Sequence, residues 1–167
     1  MARNSNYFLI GLLALVVSAC ATNKPAPVEE REVTTRIREP ARQDSEGVQV
    51  FPLQNPAVKE LLADASAAET GGDFDQAATL LERALRIQPR DPEILQHMAE
   101  VQLQKDDYEQ ALNFAVRSYD TGPRVGEICS RNWRTISVAR EHLGDNNGSV
   151  EAEQRATACM NTKPGRL

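Results

Sequence analysis

LLADASAAETGGDFDQAATLLERALRIQP (Leu61–Pro89) and LQHMAEVQLQKDDYEQALNFAVRSYDTGP (Leu95–Pro123) are the two stretches on which the fold turns. Laid one above the other, Leu61 falls on Leu95, Ala65 on Ala99, Asp73 on Asp107, Phe74 on Tyr108, Ala77 on Ala111 and Pro89 on Pro123, each pair 34 residues apart. A fixed period of this length marks a chain built from stacked supersecondary units, none of which can bury its apolar face alone. Within each unit a first helix places Leu61, Ala65 and Ala68, or Leu95, Ala99 and Gln102, at three- and four-residue steps, the spacing of one face of a helix. A second helix does the same with Ala77, Leu81, Ala84 and Leu85, or Ala111, Leu112 and Ala115. Alanines at matched positions let antiparallel helices approach closely.

The punctuation agrees with the period. Gly71-Gly72-Asp73 supplies the turn in the first unit and Gln104-Lys105-Asp106-Asp107 replaces it in the second, with Asp73 and Asp107 placed to cap the helices that follow. Pro89 and Pro123 stand where a helix cannot continue. This pattern resembles the tetratricopeptide repeat (TPR) family, a helix–turn–helix in each 34-residue unit. The expected fold is all-α, a right-handed solenoid of about three antiparallel helix pairs preceded by a disordered linker. Two regular repeats occupy residues 58–91 and 92–125. About three repeats are needed for stability, and residues 126–162 supply a diverged third hairpin. Glu127 to Leu143 reads as helix, Gly144 to Ser149 as a break, and Val150 to Met160 as helix again. Trp133 stands where the family prefers a small residue; it is expected to close the end of the solenoid, with an exposed binding anchor as the alternative.

Cys129 and Cys159 lie at equal distances on either side of the Gly144 turn, so an antiparallel hairpin brings them together. A disulfide there closes a loop of about 30 residues, which stabilises by about 3–4 kcal/mol in the chain-entropy model. His97 and His142 are the only histidines and no C-x-x-C occurs, so no metal site is expected. With no nucleophile motif, phosphate loop or spaced carboxylate pair, the chain is expected to be no enzyme, with no cofactor and no small-molecule substrate.

The amino terminus carries a different message. Arg3, the apolar run Phe8 to Val17 and the small residues after it form an export signal, too short to span a bilayer as a helix. Val17-Ser18-Ala19-Cys20 resembles the bacterial lipobox, which implies a signal peptide of residues 1–19 and acylation of Cys20. An ordinary secretory signal is the alternative. Several acyl chains on one residue give stable anchoring where one is marginal. Ala21 in place of an aspartate implies the outer membrane, with the domain facing the periplasm. That compartment is oxidising enough for a disulfide.

Residues 20–56 read as a lipidated cysteine and a flexible tether, with Pro25, Pro27, Pro40 and Pro52, mixed charges and little apolar periodicity. Fully extended, it spans about 120 Å; as a coil it averages about 30–36 Å. Gly47 to Leu53, GVQVFPL, returns apolar side chains, either as a staple on the first helix or as a segment that docks on a partner. The domain is placed at 57–162, with 163–167 as a tail.

The balance of 24 acidic against 19 basic residues argues against nucleic acid. Ala57 to Thr121 holds 13 acidic and 6 basic residues and Gly122 to Leu167 holds 5 and 7; this is either a sided contact surface or ordinary solvated helix faces. The TPR resemblance implies a concave groove that binds peptides. Its positions map onto Lys59, Leu62 and Ser66 in the first unit, Glu93, Gln96, His97 and Glu100 in the second, and Ser130, Arg131 and Arg134 in the third. Leu62 and Ser66 replace two positions of the lysine/asparagine clamp with which chaperone-binding members hold a terminal carboxylate, so that mode is not expected.

Lipobox, proline-rich tether and a compact three-hairpin domain together resemble the LpoP-type activators of class A penicillin-binding proteins. The resemblance implies a domain that crosses the peptidoglycan mesh on its tether and stimulates an inner-membrane synthase, with that protein as partner and the membrane reached through the lipid. A pilotin-like lipoprotein or assembly scaffold for a secretin or pilus is the alternative.

Overall fold

The computed structural model describes residues 32–43 and 55–160. The signal and lipobox, most of the tether, Gly47 to Leu53 and the tail lie outside the described residues.

Among the described residues there are seven α-helices: α1 (Glu39–Gln43), α2 (Pro56–Thr70), α3 (Phe74–Ile87), α4 (Pro92–Gln104), α5 (Tyr108–Thr121), α6 (Glu127–His142) and α7 (Asn146–Met160). A π-helical stretch, Val33–Arg38, runs directly into α1. From α2 onward the helices pair in sequence order as three hairpins, α2 with α3, α4 with α5 and α6 with α7. The starts of α2, α3, α4 and α5 are each fixed by a side chain that satisfies free N–H groups. Asn55 accepts from Ala57 N, Asp73 from Gln76 N, Asp91 from Glu93 N and Ile94 N, and Asp107 from Gln110 N. Pro56 and Pro92 sit in the first turn, where a missing N–H costs nothing.

The 34-residue period is visible in the backbone itself. Gly72 takes a left-handed conformation at φ +76° between α2 and α3, and Asp106, 34 residues on, does the same at φ +60°. Gly122, at the end of α5, meets the start of α4: a Cβ there would fall 2.9 Å from Pro92 Cβ. Ser118 Oγ ties the same two ends by donating to Pro92 O at 2.7 Å.

The apolar stripes fill two seams in the stack. Val58, Leu61, Ala65, Ala77, Leu81, Ala84, Ile94, Met98 and Val101 join the first hairpin to α4. Ala99, Ala115, Cys129, Trp133, Ile136, Ala152, Ala156 and Cys159 join the second hairpin to the third. Trp133 therefore fills this inner seam rather than closing the end, and it is not an exposed anchor. It is 9% exposed, with Tyr119 edge-on at 4.8 Å and the Arg155 guanidinium over its ring at 4.6 Å. Cys129 and Cys159 are disulfide-bonded across the α6–α7 hairpin, with Cα atoms 5.7 Å apart.

Two further sequence expectations are corrected. The break in the third hairpin is shorter than Gly144 to Ser149, because α7 already begins at Asn146. Asp145 explains this: its carboxylate accepts from Gly148 N at 2.9 Å, which caps a helix the glycine and asparagines would otherwise weaken. The second correction lies in the tether, where residues 33–43 are helical and packed on the domain. Pro40 follows directly on the π-helical turn. It has no N–H to donate and its ring crowds the carbonyl four residues back in a regular α-helix.

Candidate functional site

The three first helices, α2, α4 and α6, share one face of the stack, and Val33–Gln43 lies on it. Val33, Ile37 and Ala41 recur at four-residue steps and are wholly buried, so they form the inward stripe of the segment. Val33 and Ile37 pack with Leu103 of α4, Tyr108 and Ala111 of α5, and Val138 and Ala139 of α6. Burying a Val or Ile side chain stabilises by about 1.5–3 kcal/mol, so these two carry the apolar part of the docking.

Beside this stripe Arg38 enters a pair of buried carboxylates. Its Nε donates to Glu100 Oε2 at 2.6 Å and its Nη2 to Glu69 Oε2 at 2.9 Å. Glu100 is completely buried. Its other oxygen accepts from Arg131 Nε at 2.9 Å, Arg131 Nη2 at 2.8 Å and Gln96 Nε2 at 2.9 Å. Gln96 Nε2 also donates to Thr135 Oγ1 at 2.7 Å. Burial alone would raise the Glu100 pKa; the charges of Arg131 and Arg38 overcome it and hold the carboxyl at about 2. Glu69 is lowered too: burial opposes ionisation, while its hydrogen bond to His97 and the Arg38 charge favour it. Arg38 in turn is raised above its ordinary value, burial being outweighed by Glu100 and Glu69. At the outer edge Arg36 donates to Glu32 and Glu141, each at 2.6 Å.

The ten groove positions separate into two groups. Gln96, His97, Glu100 and Arg131 converge around Arg38: Glu100 directly, Gln96 and Arg131 through Glu100, and His97 through Glu69. Lys59 and Ser66 are exposed, Glu93 is half-buried, and Leu62 packs against the first core seam. Ser130 is buried. Arg134 turns away toward α7, where its Nη1 donates to Glu153 at 2.5 Å.

Arg36, Arg38, Glu69, Thr135 and Glu141 are the participants that sequence reading missed. Two signals were available. Glu69 stands at the repeat position held 34 residues later by Leu103, an acid where the unit carries an apolar side chain. Val33, Ile37 and Ala41 keep a helical step through a proline-containing stretch.

Chemically the face combines two features, both engaged by Val33–Gln43. An apolar patch lies next to two buried carboxylates, of which Glu100 has Arg131 as a second cationic partner. In the structure it holds the chain's own Val33–Gln43, which carries the Arg38 guanidinium beside its apolar stripe. Among the described residues no group of three His, Cys, Asp or Glu could hold a metal ion, and no helix is long and apolar enough to cross a membrane.

The tetratricopeptide-repeat family model matches residues 70–117. Among solved structures, the globular C-terminal domain of P. aeruginosa LpoP is similar at 35% sequence identity and a TM-score of 0.59, covering 62% of this chain and 98% of that one. A comparison with curated proteins finds no match.

Proposed function

Because the chain belongs to the LpoP-type family of tetratricopeptide-repeat proteins, we propose that it is a lipid-anchored periplasmic interaction module that activates a class A penicillin-binding protein. The likeness to the LpoP domain, over nearly the whole of that domain, is the observation that carries this reading. The fold suits it: three stacked hairpins present a continuous face of first helices, and that face is arranged for binding a helix. Acylation at Cys20 would hold the domain at the outer membrane. The chain between Cys20 and the docked segment, about 45 Å at full stretch, would let it reach away from that membrane toward a synthase rooted in the inner membrane.

The test is reconstitution. Purified protein comprising residues 21–167, added to a purified class A penicillin-binding protein and its lipid-linked precursor, should raise the rate of glycan polymerisation and the extent of cross-linking. Unchanged rates at saturating protein would count against the proposal. Cross-linked envelopes should yield the synthase with the protein; recovery of a secretin or pilus component instead would favour an assembly role.

A further inference from the structure

We propose that Val33–Gln43 is an intramolecular ligand of the domain, a displaceable helix that keeps the face of α2, α4 and α6 closed until it leaves. The segment is seated on all three first helices through Arg38 to Glu69 and Glu100 and Arg36 to Glu141. Its apolar contribution is narrow, limited to Val33, Ile37 and Ala41. Helices of this length are marginal in water, and Pro40 weakens this one further, so the segment is helical because it is docked. Residues 44–54 join it to α2, and eleven residues can span about 36–40 Å, enough to let the segment leave without disturbing the hairpins. Such an element belongs to the low-stability end of a structure, which opens without global unfolding.

Departure leaves a specific demand. Glu69 and Glu100 lose the cation they share, with Arg131 remaining on Glu100 and His97 on Glu69. A helix that replaces the segment must bring two apolar side chains four residues apart and an arginine next to the second of them. Docking also sets reach. With the segment in place, only the chain between Cys20 and Val33 separates a lipid anchor from the domain, about 45 Å at full stretch, against about 120 Å once it is free. This corollary rests on the anchored reading above; the docking itself does not. A partner helix that opens the face thereby lengthens the tether.

The experiment needs neither membrane nor synthase, so its outcome is independent of the stimulation assay. A fluorescein-labelled peptide of residues 32–43 is titrated with the protein comprising residues 21–167, as wild type and as Ile37→Asp. An occupied face lowers apparent affinity by the fraction of molecules that are open, so Ile37→Asp should bind the peptide at least tenfold more tightly than wild type. Arg38→Glu, at a partly exposed position, provides a second released form should Ile37→Asp misfold, and should show the same gain. A peptide carrying Arg38→Glu should bind at least tenfold more weakly to either variant. Equal affinity of wild type and variants, or no binding by any of them up to millimolar concentration, would overturn the proposal.

Discussion

Arg38 and Glu100, 62 residues apart in the chain, meet at 2.6 Å, and the carboxylate they share with Arg131 is completely buried. The pair joins the tether to the middle repeat and makes one side chain of α4 responsible for two cations from different parts of the molecule.

Removing that carboxylate should be costly. Glu100→Gln leaves Arg38 and Arg131 without their shared countercharge, and breaking a buried pair from one side typically costs about 3–5 kcal/mol. Urea unfolding followed by the emission of Trp133, the sole tryptophan, should show a lower midpoint with an unchanged slope. A loss below about 1 kcal/mol would mean that the network is not what holds this face.

Acid should loosen the same network. Glu100 is held at about 2 and Glu69 is lowered as well, so each binds its proton more weakly folded than unfolded. Their contribution is complete above the ordinary carboxyl range, near pH 4.3, and is lost as pH falls from there toward 2. Urea midpoints should hold steady from pH 7 to 5 and decline below that. The decline should be shallower in a Glu69→Gln/Glu100→Gln variant; identical pH dependence would assign the acid sensitivity to other carboxylates.

The disulfide should matter to the third hairpin. Cys129 and Cys159 are 30 residues apart, for which the chain-entropy model gives about 3–4 kcal/mol. Reduction, or Cys129→Ser with Cys159→Ser, should lower the unfolding midpoint accordingly, with α7 exchanging its amide hydrogens before α2 to α5. Unaltered stability on reduction would show that the hairpin is held by packing alone.

Trp133 should behave as core. Its ring is packed between Tyr119 and Arg155 in the seam of the second and third hairpins. Trp133→Ala should therefore destabilise by about 3–5 kcal/mol, while emission in the wild type should be blue-shifted and insensitive to addition of the residue 32–43 peptide. A stable Trp133→Ala protein would place the ring at the surface instead.

The repeat was legible in the sequence because its causes are local and recur. Matched alanines, capping Asp73 and Asp107, and the proline stops each act within a few residues, and the 34-residue offset repeats them. Trp133 was harder, since whether a bulky side chain faces outward or inward depends on which hairpin packs beside it. The docked segment was hidden for a different reason. Pro25, Pro27 and Pro40 and mixed charges make residues 21–43 read as a tether by composition, and nothing local rewards a helix there. Its stabilisation comes from Glu69, Glu100, Leu103 and Val138, partners distant in the chain. Of the residues that the TPR resemblance maps to a groove, Gln96, His97, Glu100 and Arg131 meet around Arg38, whereas Glu69 lies one turn outside the mapped positions and becomes meaningful only once Arg38 is beside it.

Amide hydrogen exchange across Val33–Gln43, in the protein comprising residues 21–167 at pH 7, tests the docked helix most directly. Backbone amides around Ile37 should exchange at least a hundredfold more slowly than in the free peptide of residues 32–43, and this protection should vanish in Ile37→Asp while that of α4 and α6 persists. Exchange in the wild type as fast as in the free peptide would contradict it.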